Sequence, residues 1–189
     1  DIERVTGKKP GIVSQLDKSY SQYIIIGSAE TSAMLKKYQA AGKLKLNTIQ
    51  GKWEAYSIQT ITGIPGLPSA KALVIAGSDR RGTAYGVFEL SKQIGVSPWY
   101  WWADVPVVKK DAIYINTSAR LSDAPKVKYR GIFINDEAPC LSNWSKEKFG
   151  GFNHQFYEHV FELILRLKGN YLWPAMWAMP STQDRKSVV

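Results

Sequence analysis

The sequence predicts an α/β protein in two successive parts, and three observations predict it. Short apolar runs alternate with longer stretches of helical spacing over residues 1–116. A polar stretch that carries a proline and lacks periodicity, "TSARLSDAPKV" (117–127), then interrupts the pattern as a linker. Beyond it, a strand, a helix and a second strand follow in the order of a β-α-β unit, whose parallel pair needs a covering crossover.

The elements follow from local signals. "DIERVTGKKPG" (1–11) has the look of a helix end, and the abrupt start is expected of a fragment or processed chain. "YIIIG" (23–27) is a short apolar strand, followed by a helix in "ETSAMLKKYQAAG" (30–42) that Gly42 ends. "WEAYSIQTI" (53–61) has strand composition, "GIPGLPSA" (63–70) reads as a turn-rich loop, and "ALVIAG" (72–77) as a buried strand. Ser78 or Asp79 can cap a helix over 80–95 that Gly95 stops, and "AIYIN" (112–116) reads as one more strand. In the second part "KYRGIFIN" (128–135) is a strand. The stretch 152–170 has apolar residues near helical spacing, with Asn153 as its cap and Gly169 at its end, and "YLWPAMW" (171–177) starts as a strand that Pro174 stops.

Composition narrows the function. The 25 Lys plus Arg against 16 Asp plus Glu give a formal charge of +9, which favours anionic partners. The basic residues are scattered in pairs without a nucleic-acid motif, so no nucleic acid is expected as partner. No apolar run approaches a membrane span and no signal peptide opens the chain, so no membrane association is expected. The single cysteine, Cys140, excludes an intrachain disulfide and C-x-x-C motifs. His154 and His159 stand about 140° apart on a helix and cannot share a metal as an i, i+4 pair could, so no metal and no cofactor are expected.

Chemistry concentrates where strands end, because in parallel α/β folds the loops there converge on a common mouth. Asn135, Asp136 and Glu137 occupy such an end, as do Trp173 and Trp177 on the next strand. Adjacent carboxylates on an extended chain point to opposite sides, so one can face a pocket while the other bonds locally; both as loop caps is the competing reading. "GSDRRGTAYG" (77–86) fits neither dinucleotide nor P-loop spacing, which leaves a packing turn. Of the rings in "WYWW" (99–102), one or two are expected at a cleft and the rest in the core.

The residues resemble a known family. "GSDRRGTAYGVFELSKQIGVSPWYWWADVPV" (77–107), "YRGIFINDEAPCLSNW" (129–144), "EKFGGFNHQFYEHVFELILRLKGNYLWPAMW" (147–177) and the opening "DIERVTGKKP" are similar, in order and interval, to glycoside hydrolase family 115, the xylan α-1,2-glucuronidases. The resemblance implies a hexosaminidase-like N-terminal α/β domain over residues 1–120, then, over 127–189, the first β-α-β portion of a (β/α)8 barrel. It implies removal of glucuronic acid or its 4-O-methyl ether from glucuronoxylan or a related acidic oligosaccharide, by inversion, in a secreted or periplasmic enzyme.

On the motif "NDE" the resemblance makes Asp136 the catalytic pocket carboxylate, with Asn135, Glu137, Trp173 and Trp177 binding the sugar. The family continues past "WPAMW" with further acidic segments, whereas this chain gives "AMPSTQDRKSVV". The general acid is therefore expected beyond residue 189, and the polypeptide alone is expected to be inactive. A non-catalytic module that binds an acidic glycan is the alternative.

Overall fold

The computed structural model describes residues 1–116 and 119–176. The chain divides into two compact units, Asp1–Lys126 and Val127–Val189. The first opens with one helical turn, α1 (Ile2–Thr6), which Gly7 closes at φ 72° by donating to the Glu3 carbonyl at 2.8 Å. Strand β1 (Gln22–Ser28) and helix α2 (Ala33–Ala40) follow, and Ser32 Oγ accepts the Leu35 amide as the α2 cap.

Strands β2 (Tyr56–Ile64) and β3 (Leu67–Gly77) form a hairpin across Pro65-Gly66. The loop expected at 63–70 is thus the turn and its flanks: Gly63 sits at a bulge with φ 66° and Gly66 turns at φ 94°. The sheet runs β1-β3-β2-β4, with β1 parallel to β3 and the other pairs antiparallel. The outer strand β4 is Arg120–Ser122, not the expected 112–116. Residues 112–116 are irregular and Tyr114 is 93% exposed, because β4 holds the β2 edge at Tyr56–Ile58.

Both faces of β3 are covered. On one lie Leu35 and Tyr38 of α2 with Leu44, Leu46 and Ile49, against Ala72, Val74 and Ala76. On the other lies α3 (Arg80–Ile94), capped by Asp79, whose Oδ1 accepts the Gly82 amide at 2.7 Å, and ended by Gly95 at φ 110°. A Cβ on Gly82 would lie 2.2 Å from the Ala55 carbonyl oxygen and one on Gly86 2.7 Å from Ile75 Cγ2, so the "GSDRRGTAYG" glycines let the helix sit down on the sheet. At this corner Glu54, itself at φ 54°, buries its carboxylate against Arg81 Nε at 2.6 Å, while its amide donates to Asp79 Oδ2.

The second unit holds β5 (Gly131–Phe133), α4 (Cys140–Phe149), α5 (His154–Arg166) and β6 (Tyr171–Trp173), with β5 parallel to β6. Helix α4 is an addition to the expected elements; its "CLSNWSKEKF" is too polar to show a stripe. Asn153 caps α5 as expected, accepting the Gln155 and Phe156 amides. The helix ends at Arg166 rather than near Gly169, and Gly169 instead lets the Arg130 carbonyl oxygen approach to 3.0 Å of where its Cβ would be. Phe156, Val160, Leu163 and Ile164 are buried on its inner stripe.

Candidate functional site

The paired register sets Phe133 beside Trp173, and the Ile134 amide extends the pairing to the Trp173 carbonyl at 2.9 Å. Both strands therefore leave the sheet at the same end, as Ile134–Glu137 and Pro174–Met176.

The first of these segments keeps the alternation of a strand: Phe133, Asn135 and Glu137 are exposed, Ile134 and Asp136 buried. The structure thus parts the polar triplet. Asn135 Oδ1 accepts the Glu137 amide at 3.2 Å, an Asx turn that holds the exposed pair together. Asp136 is only 3% exposed; its Oδ1 accepts the Met176 amide at 3.2 Å and its backbone carbonyl accepts the Ser142 hydroxyl at the start of α4. The carboxylate is consequently fixed at the exits of both strands.

Trp173 is half-exposed on the Asn135 side, packed edge to face on Phe133 at 5.5 Å, with Tyr129 and Tyr171 continuing the aromatic row at 6.1 Å. Trp177 lies outside the described residues.

The sequence reading passed over Tyr157. It projects from α5 and its hydroxyl oxygen accepts the Ala175 amide at 3.1 Å, next to the amide that Asp136 holds. Burial pushes the Tyr157 hydroxyl above the ordinary tyrosine value; the Ala175 hydrogen bond opposes this and the Asp136 charge adds to it. A signal was present, since Tyr157, Val160 and Ile164 share the apolar stripe of α5 and a buried tyrosine there needs a partner for its oxygen.

Elsewhere little competes. Among the described residues no group of three or more His, Cys, Asp or Glu could hold a metal ion, and no helix is long and apolar enough to cross a membrane. His159 lies against Phe149, at 5.8 Å between ring centroids. A groove of about 380 Å³ in the first unit is lined by Ile58, Leu90, Lys110 and Arg120 among others, but by no carboxylate, so it lacks the acid and base of glycoside hydrolysis. In "WYWW", Trp99 is 44% exposed, Trp101 and Trp102 meet edge to face at 4.9 Å, and Tyr100 lies under the Arg4 guanidinium. None of the four is fully buried, so the expected core share of this run is not found.

Residues 122–188 match the model of glycosyl hydrolase family 115. A solved structure described as a novel family GH115 4-O-methyl-α-glucuronidase with specificity for decorated arabinogalactans is similar over 98% of this chain, at 32% identity and a TM-score of 0.82. The chain spans 24% of the length of that protein. No curated protein matches the chain.

Proposed function

The chain belongs to glycosyl hydrolase family 115, and from that premise we propose that it supplies one corner of a site that removes glucuronic acid or 4-O-methylglucuronic acid from xylan side chains. The observation that carries the reading is the buried Asp136, held by the Met176 amide where two parallel strands end. In this reading residues 1–120 are the hexosaminidase-like domain, and the β5-α5-β6 unit opens a (β/α)8 barrel whose mouth lies at these strand ends.

The proposed reaction inverts the anomeric carbon. The C1–O bond to xylose breaks as a carboxylic acid gives its proton to the leaving oxygen. Water bonds to C1 from the opposite face and gives its proton to a carboxylate. The two carboxyl groups stand roughly 6.5–9.5 Å apart to admit that water. Asp136 is the carboxylate this corner contributes, and the acid on the leaving-group side is a separate carboxyl group. Asn135 and Glu137, exposed beside it, bind sugar hydroxyls, while Trp173, and Trp177 after it, offer ring faces. The 189-residue polypeptide by itself is inactive in this account.

The test is release of glucuronic acid from 4-O-methylglucuronoxylan by the protein as its gene encodes it, with the first-formed anomer read by proton NMR. Inversion of the α-linkage predicts the β anomer; first formation of the α anomer overturns the mechanism. The similar enzyme's description favours a second substrate, decorated arabinogalactan. Offered both polymers, a protein that releases the acid only from arabinogalactan has the chemistry proposed but not the xylan substrate.

A further inference from the structure

We propose that Tyr157 is a positioning residue of this site: its hydroxyl and the Asp136 carboxylate grip two consecutive amides and so fix the exit of β6 against the exit of β5. The proposal rests on the reading of Asp136 as a catalytic carboxylate.

The segment that leaves β6 reads Pro174-Ala175-Met176. Proline has no amide hydrogen, so this segment offers two backbone donors, at Ala175 and Met176. Both are taken by side chains from other elements: Ala175 by Tyr157 of α5 at 3.1 Å, and Met176 by Asp136 of the β5 exit at 3.2 Å. All but one of the four residues are hidden from solvent, with Ala175 at 1%, Asp136 at 3% and Tyr157 at 4% exposure. Ser142 ties the Asp136 backbone carbonyl from α4, so this residue is held through its main chain by α4 and through its carboxylate by the β6 exit.

The opposite end of the strand pair is held independently. Arg130 donates through Nε and Nη2 to the Lys168 carbonyl at 3.0 and 2.9 Å, and Asn170 bridges the Arg130 amide and the Lys128 carbonyl. Loosening the Tyr157 end therefore leaves the strands paired and changes only where the β6 exit sits. A protonated phenol suits the place, because it accepts an amide without adding a second negative charge beside Asp136.

The amide grip is measured in the 189-residue chain by NMR hydrogen exchange, and its consequence in the gene-encoded protein by kinetics. Tyr157→Phe, which removes only the oxygen, is expected to speed exchange at Ala175 by about tenfold while Val160 and Leu163 stay protected. In the active protein it is expected to lower kcat about tenfold and leave KM within about twofold, because a displaced carboxylate harms the transition state more than binding. Unchanged exchange at Ala175, or an unchanged kcat, overturns the proposal.

Should the variant lose α5 protection as well, the wild-type chain answers: the Ala175 resonance must follow the ionisation of Tyr157, and no such coupling overturns the grip. Asp136→Asn separates the two readings. If that variant keeps full activity, the catalytic reading fails, and Ala175 exchange still decides whether Tyr157 holds the loop. If it abolishes activity while Tyr157→Phe changes neither exchange nor kcat, the positioning role alone fails.

Discussion

Strand β3 and the β5–β6 pair both hold a parallel pairing, yet they bury their side chains differently. Val74 and Ile75 at the centre of β3 are 0% exposed, whereas Phe133 and Trp173 at the end of the pair are each 51% exposed. The cause is coverage: β3 has a strand on each edge and packed chain on both faces, while β5 and β6 form a sheet of two strands. Core packing accounts for the residues of β3. It does not account for an exposed row of Tyr129, Phe133, Tyr171 and Trp173, nor for Asp136, a buried carboxylate held where both strands end.

Truncation tests that contrast most severely. Ile75→Ala is expected to cost about 2–5 kcal/mol, as a buried methylene loss with a cavity does. Phe133→Ala is expected to cost about 1 kcal/mol, the worth of its edge-to-face contact with Trp173. Denaturant midpoints compare the two, and equal losses would show that the exposed row is core after all. Gly82→Ala comes next at about 3 kcal/mol, because its Cβ would meet the Ala55 carbonyl oxygen at 2.2 Å and α3 would have to lift from the sheet.

The smaller effects pit one tyrosine of each unit against the other. The Tyr38 hydroxyl is buried in the first unit with no hydrogen-bond partner among the described residues, so Tyr38→Phe is expected to stabilise by about 1 kcal/mol. Tyr157→Phe removes the acceptor of the Ala175 amide and is expected to destabilise by about 1 kcal/mol. Thermal midpoints that move in the same direction would contradict the difference drawn between the two sites.

The same pair sets the alkaline behaviour. Burial raises the pKa of both hydroxyls above their ordinary value. The folded state therefore holds protons that the unfolded chain releases from about pH 10 upward. Their contribution is fully present below the ordinary tyrosine value and is lost as pH rises through the higher folded values. The wild-type chain should lose stability above about pH 10 more steeply than the Tyr38→Phe, Tyr157→Phe double variant. Identical slopes would remove both residues from that loss.

Local signals were legible in the sequence and long-range ones were not. Asp79, Asn153 and Gly95 announce helix ends because a cap is a contact within a few residues. The β2–β3 hairpin was hidden, since Pro65, Gly66 and Pro68 read as loop until the register across the turn pairs Ile64 with Leu67. The run 112–116 has strand composition but loses the β2 edge to Arg120–Ser122, a competition that composition does not contain. Glu54 gives no sign of its burial, because its partner Arg81 lies on the far side of the hairpin. At the site, alternation foretold that Asp136 and Glu137 would part, but which one turned inward depended on the Met176 amide some forty residues later.

The most direct measurement is glucuronic acid release from 4-O-methylglucuronoxylan by the gene-encoded protein, wild type against Asp136→Asn, with amide exchange at Met176 read in the same variants. Asparagine keeps an oxygen that can accept the Met176 amide, so the account predicts near-native protection there and a loss of activity of at least about a hundredfold. Native protection with native activity would contradict it and remove Asp136 from the chemistry.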